Sequence, residues 1–97
     1  MDIGEYKKAR IRRSVDLWLG MDVPVHVHST MNAVGSREIR ILVEYAGTIF
    51  DKKRVADALA SGIQGPGSRP RLRLILLDAS TKPETEHARI RTLGEKI

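Results

Sequence analysis

The chain opens on a helical repeat. Ile11, Val15, Trp18 and Leu19 recur at i, i+4, i+7 and i+8, which gathers them into one apolar stripe and predicts a helix over about Glu5–Leu19. Lys8, Arg10, Arg12, Arg13 and Asp16 fall mostly around or outside that stripe. Gly20 is placed to close the helix, because glycine accepts the left-handed conformation that ends helices, and Met1–Gly4 is expected to fray. From Val23 the period changes to two. Val23, Val25, Val27 and Ser29 alternate with His26, His28 and Thr30, which reads as a strand with valines toward the core and histidines on the other side. Asn32–Ser36, with Gly35, reads as a turn. A second strand follows over about Arg37–Ala46, with Ile39, Ile41, Val43 and Tyr45 on one face and Arg40, Leu42 and Glu44 on the other. Two strands on so short a turn pair most simply as an antiparallel hairpin.

The next helix carries the firmest signals. Asp51 is a natural N-cap, Phe50 and Val55 are spaced as a hydrophobic staple, and Val55, Ala56, Leu59, Ala60 and Ile63 form its apolar stripe. Gly62 stands where a terminating glycine is expected, and residues 62–70, rich in glycine and proline, read as a mobile loop. Arg71–Asp78 begins with alternation at Leu72 and Leu74 and then turns continuously apolar, the pattern of a central strand. Residues 79–97 read as a terminal helix or tail. Its helix runs from Pro83 to about Lys96, with Thr81 or Lys82 ahead of Pro83, Glu84 and Glu86 near its start, and a thin seam of Ile90, Leu93 and Ile97. That segment has three possible fates: docking on the domain, pairing with a partner, or partial disorder. The order α-β-β-α-β-(α) predicts one small two-layer α+β domain over residues 1–97, a three-stranded sheet packed on helices.

Composition narrows the function classes. At 97 residues the chain fits one domain, with no room for a deep enclosed active site beside its core. The absence of cysteine excludes disulfides, a thiolate zinc site and a cysteine nucleophile. With neither a signal-peptide core nor an apolar run of about 18 residues, a soluble cytoplasmic protein is expected, with no membrane span. The net charge of +5 favours polyanionic partners.

His26 and His28 project from one side of a strand, a spacing that metal sites use. The run His26-Val27-His28-Ser29-Thr30 resembles the first motif of the polymerase-and-histidinol-phosphatase phosphoesterases, where the resemblance implies a histidine pair that helps hold a multi-metal centre. That family continues with an acidic residue and glycine, whereas Asn32-Ala33-Val34-Gly35 follows here, and its later threonine-aspartate-histidine motif is missing. The pair is therefore read as two polar residues on the exposed side of a strand, with no metal and no cofactor assigned. Gly62-Ile63-Gln64-Gly65 is similar to the glycine-x-x-glycine loop of K-homology RNA-binding domains, but Pro66, Gly67 and Pro70 block the helix that follows it there.

The basic residues carry the functional expectation. Arg40, Arg71 and Arg73 point away from the valine face and, with Arg69, build a cationic sheet face beside His26 and His28. Lys7, Lys8, Arg10, Arg12 and Arg13 make a second patch on the first helix, and Lys52, Lys53 and Arg54 a third. Few aromatics are present to stack bases. No catalytic constellation stands out, because Ser29 and His28 face opposite ways and no pair of carboxylates has acid-base spacing. The leading expectation is a non-enzymatic module that contacts nucleic-acid phosphates. The alternative is an assembly or protein-interaction subunit that forms a homo-oligomer through sheet edges or the terminal helix.

Overall fold

A computed structural model describes residues 3–31, 33–64 and 71–97. The period-two segments form the expected hairpin. Strands β1 (Val25–Met31) and β2 (Arg37–Glu44) pair antiparallel from Val25 opposite Val43 to Met31 opposite Arg37. Helix α1 spans Glu5–Leu19, as its apolar stripe predicts, and α2 spans Lys52–Gln64. Ile11 and Val15 of α1 and Leu59 and Ile63 of α2 bury against Val25, Val27, Ile39, Ile41 and Val43, so the alternation and the helical stripes meet in one aliphatic core.

Among the described residues the sheet has four strands, not the three expected, in the order β3-β2-β1-β4. Strand β3 (Arg71–Leu77) returns through α2 to pair parallel with β2, from Glu38 opposite Arg71 to Glu44 opposite Leu77. Strand β4 (Glu95–Lys96) adds two residues to the free side of β1. A two-residue strand has no period to read, so the sequence could not announce it. Strand β3 also departs from expectation. Its unbroken apolar run suits a central strand, yet it lies at the sheet edge.

The last helix is ordered on the domain. Helix α3 runs Thr85–Leu93 and is capped by Glu84, with Pro83 outside it, because Glu84 and His87 exchange the two bonds of a capping box. The cap is therefore neither Thr81 nor Lys82. Helix α3 packs on β1 and β2 over the face opposite the main core, where Leu42 and Ile90 are both fully buried. Helices therefore cover both faces of the sheet, and the expected two layers become three. Leu42 is the reason: an apolar residue on the polar face of β2 gives α3 a place to bury Ile90.

Other local expectations change for packing reasons. Phe50 is fully exposed and staples nothing, whereas the Asp51 carboxylate accepts the Arg54 amide at 3.4 Å and serves as the cap. Trp18 is half exposed, since Ile11 and Val15 already fill the buried stripe of α1. Gly62 lies inside α2, and a Cβ there would sit 3.1 Å from Ser14 Oγ of α1, so the glycine allows close helix approach and does not end the helix. Of the loop anticipated over residues 62–70, residues 62–64 belong instead to the last turn of α2, and 65–70 lie outside the described residues.

Gly94 joins α3 to β4 by the tightest passage of any described glycine. A Cβ at this position would meet two backbone oxygens, Ile90 O at 2.5 Å and Val27 O at 2.7 Å. Neither can move without disturbing α3 or β1. Gly94→Ala is expected to destabilise the domain by about 1–3 kcal/mol, the range of an overpacked site, with the loss read from denaturant unfolding. The residue-94 amide, which donates to Ile90 O at 2.8 Å, should lose protection first, and a variant as stable as the parent would refute so close a passage.

Candidate functional site

The side of the sheet under α3 collects several of the polar residues singled out in the sequence. His26 from β1 places Nε2 3.1 Å from Glu44 Oε1 of β2, and Glu44 Oε2 accepts a bond from Arg91 Nε of α3 at 3.0 Å. Arg73 of β3 grips Glu86 of α3 through Nε at 3.2 Å and Nη2 at 2.9 Å. Arg40 donates to Glu38 at 3.3 Å within β2. Burial works to raise the Glu44 carboxyl, but the hydrogen bond and charge of Arg91, joined by His26, hold it below its ordinary value. The hydrogen bond from Arg73 likewise lowers Glu86, and Glu86 in turn raises Arg73. Arg40 and Arg73 come side by side on this face, where Glu38 and Glu86 pair with them. Arg71 is exposed and makes no ion pair among the described residues, and Arg69 lies outside them.

His26 and His28 share this face as the alternation requires, but it is not the exposed side expected, because α3 packs over it and leaves the His26 side chain 14% exposed. His28 stands opposite Arg40 in the β1–β2 register, and its Nδ1 is buried with no hydrogen-bond partner among the described residues. No group of three or more His, Asp or Glu among the described residues is arranged to hold a metal ion. The nearest acidic partner, Glu44, is shared between His26 and Arg91.

The first-helix patch is largely occupied by the fold itself. Lys7 Nζ donates to Ile63 O at 3.0 Å and Arg10 Nε to Gly62 O at 2.8 Å, so both cations satisfy carbonyls in the last turn of α2. Burial, followed by the charge of Arg10, lowers the Lys7 pKa. Lys8 bridges Glu5 at 3.3 Å and Glu95 at 2.6 Å, and Arg12 binds Asp16, Val23 O and Ile97 O. Arg13 alone of this group is exposed with no partner among the described residues. In the third patch, Lys52 donates to Thr81 Oγ1 at 2.6 Å and lies 3.7 Å from Asp78, whereas Lys53 and Arg54 extend into solvent.

The carboxyl ends of β2 and β3 form a cleft of about 410 Å³ bordered by Tyr45, Thr81, Lys82, His87 and Arg91. Open sheets with parallel strands commonly present ligands at this end. Two acids line it, Glu44 and Asp78, and Asp78 is committed to structure. Asp78 Oδ2 accepts the Ile49 amide at 3.0 Å, while Oδ1 accepts the Ser80 amide at 3.0 Å, the Ser80 hydroxyl at 2.6 Å and the Thr81 hydroxyl at 3.0 Å. The Ser80 hydroxyl and the Ile49 amide lead in holding this carboxyl far below its ordinary value, against the opposing effect of burial. So heavily bonded a carboxylate ties the entry of α2 to the end of β3. Its signal in the sequence is Asp78-Ala79-Ser80-Thr81, hydroxyls two and three residues after an aspartate.

The remaining feature is the outer edge of β3. The Tyr45 amide donates to Leu77 O at 2.9 Å, so the Leu77 carbonyl faces β2. Backbone groups alternate along a strand, so the N–H and C=O of Leu72, Leu74 and Leu76 face outward. No strand among the described residues pairs with them. Natural edges are shortened, bulged or studded with charge and proline. This edge is seven residues long and carries only Arg71 and Arg73 before four apolar residues, whereas β4 at the opposite edge has two residues. Sequence reasoning missed the edge because its apolar run has the composition of a strand paired on both sides.

No protein family, curated protein or solved structure matches the chain.

The geometry of Asp78 sets a pH dependence. Its folded carboxyl titrates below the ordinary 3.8, so the stability it contributes is complete above that value and is lost as the pH falls through the lowered folded value. Asp78→Asn should therefore melt at a lower temperature at neutral pH and show a flatter decline on acidification, as read from Tm against pH. An unchanged acid limb would remove Asp78 from this role.

Proposed function

We propose that the chain is a non-enzymatic protein-interaction module that assembles by accepting a strand at the outer edge of β3. The single observation behind this reading is the mismatch between composition and position: Arg71–Leu77 has the apolar run of an inner strand and lies at an edge. An added strand would satisfy the outward amides and carbonyls of Leu72, Leu74 and Leu76 and cover the half-buried Leu72 and Leu74. The other interaction surface raised by the sequence is less favourable. Ile90 is already buried beneath α3 and Ile97 packs on the main core, leaving Leu93 as the exposed part of that seam.

A blocked peptide copying residues 71–77, with terminal lysines for solubility, serves as the strand probe. It should bind and slow hydrogen exchange at the amides of Leu72, Leu74 and Leu76. Leu74→Pro should abolish binding, because proline removes an outward donor, whereas Leu74→Ala, which loses the same side-chain packing, should retain it. Equal binding by the two variants, or a parent chain that stays monomeric and does not bind, overturns the reading.

A second reading, contact with nucleic-acid phosphates, is favoured by cations that are exposed and make no ion pair among the described residues, Arg13, Lys53, Arg54 and Arg71 among them. It ranks lower because Arg40 and Arg73 face carboxylates at short range. If Arg71 touches a phosphate and Arg73 stays with Glu86, Arg71→Glu should flatten the dependence of log affinity on log salt by about 1 unit, and Arg73→Glu by much less. Affinity that survives the combined Arg71→Glu and Arg73→Glu change excludes the sheet face from nucleic-acid contact.

A further inference from the structure

We infer that the strand accepted by β3 is the β3 of a second copy, paired antiparallel about a twofold axis through Leu74. The inference rests on the strand-accepting edge proposed above and names its occupant. The distribution of charge along the strand selects it. Arg71 and Arg73 occupy the first half, and Leu74, Ile75, Leu76 and Leu77 the second. A parallel copy in register would set arginine beside arginine along the joint. An antiparallel copy sets each arginine beside an apolar residue and keeps the two cationic ends apart.

Hydrogen bonding then limits the register. Outward-facing residues must oppose outward-facing residues, so a symmetric joint can centre on residue 73, 74 or 75. Centring on 73 opposes Arg73 to its own copy, a like-charge contact. Centring on 75 leaves the start of the strand beyond the overlap. Centring on 74 overlaps all seven residues: Leu72 faces Leu76, Leu74 faces its symmetry mate, and on the other side Arg73 faces Ile75 and Arg71 faces Leu77. Leu72, Leu74 and Leu76 already lean toward the core shared with α2, so this register continues that apolar layer across the joint. Glu86 stays on Arg73 and needs no rearrangement. The product is one continuous sheet through both copies, with the short β4 strands at its outer ends. Closed twofold symmetry uses up the long edge and stops the association at two copies.

The chain contains no cysteine, so introduced thiols report the register directly. Opposed residues without mutual hydrogen bonds lie about 4.5 Å apart at Cα, within disulfide reach. Arg73→Cys and Ile75→Cys, mixed and oxidised mildly, should cross-link to each other, while each alone should not. Self-linking by Arg73→Cys would place the axis on 73, and self-linking by Ile75→Cys on 75; either result overturns the register. Mass measurement of the unmodified chain by light scattering should give a dimer, with Leu74→Pro monomeric and Leu74→Ala dimeric. A parent chain that stays monomeric across concentration while binding the peptide probe overturns self-pairing and leaves the strand-accepting edge standing. A monomer that also ignores the peptide overturns both.

Discussion

Val25, Val27, Ile39, Ile41 and Val43 reach the same side of the sheet because β1 and β2 pair in one register, and a slip of one residue would turn every one of them to the other face. The rest of the fold follows from that pairing. Helices α1 and α2 have a continuous aliphatic floor on which to bury Ile11, Val15, Leu59 and Ile63. The same register sends His26, His28, Arg40 and Glu44 to the opposite side, where a second set of contacts forms around Leu42. Hydrophobic burial thus orients the polar face without touching it.

That second side shows how a small domain uses its surplus charge. Arg73 and Arg91 attach α3 to β3 and β2 through Glu86 and Glu44, and Lys7 and Arg10 close the end of α2. Partly exposed ion pairs of this kind contribute modestly to stability, but here they set the direction in which α3 crosses the sheet. Asp78 does similar work at the strand ends, where its carboxylate gathers the Ile49 amide and two hydroxyls. The basic groups that look like a binding face in the sequence are thus largely the fasteners between secondary-structure elements.

Strand β3 remains the place where the fold is least self-sufficient. Its inner side is fully paired to β2, and its outer side offers the backbone groups of three leucines. An apolar strand left at an edge is unfavourable for an isolated domain and favourable for one that joins another strand, which is why position, and not any catalytic constellation, carries the functional reading.

The sequence by itself determined the elements that rest on local periodicity and capping. The α1 stripe, the alternating hairpin, the α2 helix with Asp51 at its start and the split of valines from histidines were all legible, because each depends on residues a few positions apart. The tertiary structure decided what lies between distant segments. It set β3 at an edge because pairing order depends on where α2 returns the chain, and it added β4 because Gly94 lets the backbone pass Val27. It also brought Glu86 to Arg73 and Glu44 to Arg91. Those partners are separated along the chain, and no one-dimensional pattern of charge tells a free arginine from one already held.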